Sequence, residues 1–138
     1  MRRVWLAASL ALVAAACGGT RLERVPIGDW GGEHVGLSVE ATGASVTFDC
    51  AHGRIQGPLL LDRDGRFRVD GVYIREHGGP VLVDETEDAH PASYSGSTDG
   101  ATLRFEIKLA DTHQTVGPFS AVYGGTPRIF RCLAVGPS

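Results

Sequence analysis

The sequence predicts an all-β domain, a small antiparallel up-and-down barrel of about eight strands. Three observations predict it. Apolar and polar residues alternate one for one in segment after segment. The clearest case is Thr102 to Leu109, with Leu103, Phe105, Ile107 and Leu109 on one face and Thr102, Arg104, Glu106 and Lys108 on the other. Short turn signals separate the segments: Thr42-Gly43, Asp64-Gly65, Gly78-Gly79-Pro80, Asp99-Gly100 and Gly124-Gly125. No segment after the N-terminal leader carries a helical apolar period. A β-sandwich is the alternative arrangement of such strands, but a run of hairpins favours a barrel.

The N-terminus has its own logic. Arg2-Arg3 precedes an apolar run from Val4 to Ala16, and Ala14-Ala15-Ala16 stands just before Cys17. That run is too short for a relaxed membrane span and has the length of a signal-peptide core. Residues 1–16 are therefore expected to be a signal peptide. Small residues before a cysteine have the form of a bacterial lipobox, which makes Cys17 the expected lipidation site and new N-terminus. The expected address is the bacterial cell envelope, at the outer membrane, with the domain on its periplasmic or surface face. Residues 17–27 are expected to be a tether, and residues 28–138 the single domain.

The domain then follows in order. His34 to Glu40 alternates, with Val35, Leu37 and Val39 on one face. Ser45 to Cys50 alternates again and places Cys50 on the face of Val46 and Phe48. Pro58 to Asp62 is a short apolar run, and Arg63-Asp64-Gly65 turns it. Arg66 to Glu76 is the next strand. Its apolar parity changes between Val69 and Val72, which predicts a β-bulge at Gly71. Val81 to Pro91 is irregular and acidic. Ala92 to Thr98, Thr102 to Leu109 and Thr115 to Tyr123 complete the hairpins, with Gly117-Pro118 at an edge or bulge. Arg128 to Leu133 is expected as the last strand.

Charge and cysteines narrow the function classes. The chain carries 13 Lys and Arg against 16 Asp and Glu, a formal net charge of −3. Loss of Arg2 and Arg3 with the leader makes it more acidic. Such a surface argues against nucleic acid and against electrostatic binding to anionic lipid, so membrane contact is expected through the lipid on Cys17. In an oxidising compartment Cys50 and Cys132 are expected to form a disulfide.

Gly28-Asp29-Trp30, near the start of a β meander, resembles the Gly-x-Trp signature of the lipocalins and their avidin-like relatives. The resemblance implies that Trp30 plugs one barrel end and that an arginine of the last strand, Arg128 or Arg131, packs across its ring. The phrases Phe48-Asp49-Cys50-Ala51-His52-Gly53, Asp64-Gly65-Arg66-Phe67 and Tyr94-Ser95-Gly96 are similar to those of small bacterial secreted lipoproteins. That similarity brings no function with it.

Candidate chemistry is sparse. Asp49 and His52 form a possible acid/base or metal pair, or else cap the turn at Gly53. The five histidines, His34, His52, His77, His90 and His113, form no zinc-type spacing. A barrel end nevertheless gathers distant turns, so His52, His77 and His90 are candidates to converge. The run Asp84 to Asp88 reads as a solvated loop ahead of a calcium site. Ser38 sits in a Gly-x-Ser-x-Glu context with no elbow, and no catalytic nucleophile stands out. An eight-strand barrel is just wide enough to be filled by side chains or to hold one small ligand. The first functional expectation is thus a non-enzymatic barrel that binds a small molecule or an envelope protein, with Trp30, His52, Tyr73, Tyr94 and Arg128 as ligand-contacting residues and no cofactor or metal. One alternative is a hydrolase or metal-dependent enzyme built on Asp49 and His52. Another is a structural or inhibitor-like envelope protein.

Overall fold

The computed structural model describes residues 21–132. The leader and Cys17 lie outside the described residues. The described chain is all-β, a closed antiparallel barrel in which each strand pairs with the next and the eighth returns to the first. The strands are β1 (Gly28–Gly32), β2 (Val35–Glu40), β3 (Gly43–Phe48), β4 (Ala51–Ile55), β5 (Arg66–Arg75), β6 (Asp88–Thr98), β7 (Thr102–Leu109) and β8 (Thr115–Tyr123). The seam is short: Trp30 opposes Tyr123 and Gly31 opposes Val122.

Alternation decides which residues fill the barrel. Val35, Leu37, Val39, Val46, Phe48, Ile55, Phe67, Leu103, Phe105, Ile107 and Leu109 point inward and are buried. Outward positions carry Arg66, Arg68 and Asp70 on β5 and Arg104, Glu106 and Lys108 on β7. A charge on the lipid face of a membrane barrel costs about 2–4 kcal/mol at the midplane. This barrel has its apolar side inside, the reverse of a membrane-spanning barrel.

The interior is filled. Trp30 and Tyr94 are both 0 % exposed. Tyr94 lies across the barrel and donates a hydrogen bond from Oη to the Val72 carbonyl at 2.8 Å. Gly53 and Gly71 leave the room it occupies. A Cβ at Gly53 would overlap Tyr94 Oη, and one at Gly71 would come within 3.1 Å of the ring. Near one end Phe48 packs on Tyr73 and Phe119 at ring-centroid distances of 5.5 and 4.9 Å, and Phe105 on Phe119 at 5.5 Å. At the other end Val25 and Leu59 close the core, joined by a Val25 N–H to Leu59 carbonyl bond of 2.9 Å. Residues at the end of the expected tether are therefore part of the folded domain.

Four expectations change. Gly71 marks no bulge: β5 stays in register with β4 and β6 straight through it. The parity change is real but has another cause. Tyr73 points inward beneath Phe48, while Ile74 points outward and is buried, at 2 % exposure, by the β5–β6 loop. Residues 58–62 are not a strand of the barrel; only Leu60 makes a bridge, to Arg24. Residues 28–32 and 51–55 are barrel strands instead. Residues 124–132 are not the last strand. They run back outside the barrel as a strap. Gly31 and Gly36 let it lie close, since a Cβ at Gly36 would come within 2.7 Å of Pro127. Finally, Cys50 is exposed in the β3–β4 turn and does not face the core. It still forms the expected disulfide with Cys132, at a Cα–Cα distance of 5.1 Å. The bridge pins the strap to the barrel rim. The expected irregularity at Gly117-Pro118 is present, where the β7–β8 register shifts between Phe105 and Ile107.

Candidate functional site

An up-and-down meander puts alternate connections at the same end. The turns after β1, β3 and β7 and the long loop after β5 share one end here. All five histidines lie in or beside those four connections. His34 is in the β1–β2 turn, His52 is near the start of β4, His77 opens the β5–β6 loop, His90 is near the start of β6, and His113 is in the β7–β8 turn. This is the convergence open to His52, His77 and His90 in the sequence, extended to His34 and His113.

Convergence at one end is not convergence on one point. Four of the rings are held in separate carboxylate pairs. His34 Nδ1 lies 2.6 Å from Asp49 Oδ2, and His52 Nδ1 lies 2.6 Å from Glu76 Oε1. His90 sits between Asp111, at 2.7 Å, and Asp88, at 2.9 Å. His77 Nε2 pairs with Glu85. Three of these pairs tie successive segments around the rim: the first turn to the second, β4 to the end of β5, and β6 to the last turn. Asp49 also accepts the Phe130 N–H at 2.9 Å, which fixes the strap beside the disulfide.

The electrostatics follow from these contacts. The His90 hydrogen bond holds the Asp111 carboxyl below its ordinary value. The Gly78 carbonyl, and after it Glu85, raises the His77 imidazole. The Leu82 N–H and then His77 lower Glu85. Burial raises Tyr73 and Tyr94 well inside the barrel.

The pairing dissolves the Asp49–His52 constellation. Asp49 is paired with His34 and His52 with Glu76, so the two are not hydrogen-bonded to each other. Among the described residues no group of three or more His, Cys, Asp or Glu side chains is placed to hold a metal ion. Ser93 Oγ accepts a hydrogen bond from Arg68 Nε at 3.2 Å and is not set against a histidine.

The expected ligand-contacting residues scatter. Trp30, Tyr73 and Tyr94 are buried in the core, and Trp30 and Tyr94 present no surface. Arg128 is outside, on the strap, with its guanidinium 2.7 Å from Glu33. It does not cover Trp30. Tyr123 does, edge to face at 5.1 Å, because the last barrel strand ends there and the arginine comes after it. The Trp30 Nε1–H donates to the Pro26 carbonyl at 3.1 Å. His52 of the set borders an open space on the β4–β5 face.

That space is a cleft of about 470 Å³ on the outer surface, between the β5–β6 loop and β4–β5. Val81 supplies an apolar wall above Ile74, which is itself 2 % exposed, and His52, Glu76, His77, Glu85 and Glu87 form its polar rim. A second concavity, of about 490 Å³, runs between the strap and β2–β3, by Gly36, Ser38, Thr47 and Pro127. Comparison with protein-family models, with curated proteins and with solved structures returns no match. Sequence reasoning missed Glu76, Ile74 and Val81. The signal for Ile74 was its parity change, which marks an outward apolar residue that something must cover.

Proposed function

We propose that the protein is a lipid-anchored cell-envelope module that binds an envelope partner without catalysis, and that it binds on the outside of the barrel. The filled lumen carries this reading. A small molecule held inside the barrel needs the space that Trp30, Tyr94, Phe48 and Phe105 occupy. Open concavities and paired charges lie instead on the outer surface and at the histidine-bearing end. The anchoring part of the reading rests on Arg2-Arg3, the apolar run and Ala14-Ala15-Ala16-Cys17. The chain enters the fold through the Arg24–Leu60 bridge, at the end opposite the histidines. The four Cα–Cα steps from Cys17 to Arg21 reach at most about 14 Å. An anchor there keeps that end near the bilayer and turns the histidine end toward partners.

The test combines fatty-acid labelling with native mass spectrometry of the full chain, as its host processes it. Labelling with an alkyne fatty acid is expected to mark the wild-type chain and to fail on Cys17→Ser, which should leave the membrane fraction. An unlabelled wild-type chain sinks the anchor. The spectrum is expected to show an oxidised chain with no retained small molecule. A compound released only on unfolding would return the function to the lumen.

A further inference from the structure

Resting on the anchor in that reading, we infer that the barrel end opposite the histidines is a bilayer-contacting face, with Leu22, Ile27 and Leu60 set into the lipid headgroup region. The segments that close this end are apolar on both sides. Val25 and Leu59 turn inward and complete the core, at 1 and 2 % exposure. Leu22, Ile27 and Leu60 turn outward and are 38, 49 and 57 % exposed. Backbone contacts fix all three in place. Arg24 bridges to Leu60, and the Leu61 N–H donates to the Glu23 carbonyl at 2.9 Å. The Ile27 carbonyl accepts the Tyr123 hydroxyl at 2.8 Å. Leu22 lies against the β6–β7 turn, where a Cβ at Gly100 would come within 3.0 Å of its Cδ1. Of the nine large apolar residues that stand exposed among the described residues, five belong to this end: these three, with Val122 and Tyr123 where β8 finishes. Exposed apolar residues gathered in this way mark an interaction or membrane surface.

The place of the anchor selects a lipid surface as the occupant. Cys17 stands four Cα–Cα steps before Arg21. The short reach of that chain, at most about 14 Å, brings this face to the bilayer when the cysteine is lipidated. The apolar stretch of the β5–β6 loop, Val81 to Val83, lies at the far end of the barrel. The outer wall between the two ends carries Arg68 on β5 and Arg104, Glu106 and Lys108 on β7. Laying that wall on the membrane would press charges onto lipid, so an upright barrel is favoured. The make-up of the face suits a headgroup layer. Tyr123 has an apolar ring and a polar tip, the form enriched at membrane–water interfaces. Arg21, Arg24 and Arg63 are balanced by Glu23, Asp62 and Asp64. With no basic excess, the contact rests on apolar burial and needs no anionic lipid.

The test uses the full chain as its host processes it, reconstituted in phosphatidylcholine vesicles. A bimane probe is attached at one introduced cysteine, Leu60→Cys or, at the far end, Leu82→Cys. Both positions are exposed, and Cys50 and Cys132 are closed in their disulfide. Lipid with a nitroxide high on its acyl chain is expected to quench the probe at position 60 about twofold, since interfacial burial of roughly 5–10 Å sets it at that depth. The probe at position 82 is expected to be unaffected. Iodide in the water phase is expected to give the reverse order. Leu22→Ser with Ile27→Ser, added to the position-60 protein, is expected to weaken the lipid quenching, and raised salt to leave it unchanged. No lipid quenching at position 60, or equal quenching at both positions, overturns the face. Full quenching in the serine pair overturns the part given to Leu22 and Ile27, and loss of quenching in salt overturns the apolar contact. Protection of position 60 from iodide without lipid quenching assigns the face to a protein and overturns the lipid surface. Any of these with fatty-acid labelling intact removes this face alone and leaves the anchor in place, whereas an unlabelled chain removes both.

Discussion

Gly53 and Tyr94 provide a test of how the barrel is filled. Gly53→Ala adds one methyl group on the inner face of β4. The new Cβ overlaps Tyr94 Oη and comes within 3.1 Å of both Tyr94 Cζ and the Val72 carbonyl oxygen. Overpacking of this kind costs about 1–3 kcal/mol. Replacing glycine with alanine within a strand returns about 0.5–1 kcal/mol of backbone entropy. The expected net loss is about 1–2 kcal/mol, or roughly 4–8 °C in melting temperature for a domain of this size. Tyr94→Phe removes the 2.8 Å hydrogen bond to Val72 and should cost about 0.5–1.5 kcal/mol. The double variant is the informative one. Without Oη the worst overlap is gone, so the combined loss should fall short of the sum by about 1 kcal/mol. Urea unfolding of all four proteins, followed by circular dichroism, gives the cycle. Additivity within about 0.5 kcal/mol would mean that the Tyr94 hydroxyl does not lie over Gly53, and the account of the filled lumen would fall with it.

Cys50→Ala with Cys132→Ala removes a cross-link between positions 82 apart, worth about 4–5 kcal/mol in the chain-entropy model. Its melting temperature should drop by more than about 10 °C, and an unchanged value in calorimetry would refute the bridge as a stabilising element. The β5–β6 loop should be held best between the ordinary carboxylate and imidazole values of 4.5 and 6.5. The raised His77 contributes fully below 6.5, and that contribution is lost as pH rises through its folded-state value. The lowered Glu85 contributes fully above 4.5, and its share is lost as pH falls through its folded-state value. Hydrogen exchange at the Leu82 amide, which donates to Glu85 Oε2 at 3.1 Å, should be slowest inside that window after correction for intrinsic rates. A flat profile contradicts the clasp.

The fold was legible because alternation and turn residues report local geometry directly. β7 shows this best, since each of its inward residues is apolar and each outward one charged or Thr. Strand identity was less legible where apolar content and pairing part company. Leu59, Leu60 and Leu61 read as a strand, yet Leu59 serves to close a barrel end against Val25. Ala51, Gly53 and Ile55 read as a turn and its flank, because the inner face of β4 is small wherever Tyr94 fills the space across from it. The candidate site was legible only in parts. His52 carries a visible acid nearby in Asp49, but its partner is Glu76, 24 positions on, brought alongside by the β4–β5 pairing.

By itself the sequence determined the all-β class, the hairpin order, the cysteine pair and which face of each clear strand is apolar. These depend on residue type and on a period of two, and both are local. Only the tertiary structure decided that the lumen is full, that the last segment is an external strap, and that the histidines share an end while their rings stay apart. Those outcomes depend on which side chains meet across the barrel. Tyr94 reaching Val72, Tyr123 covering Trp30, and a loop burying Ile74 from outside are contacts between residues far apart in the chain, set by closure of the sheet and written in no single stretch of it.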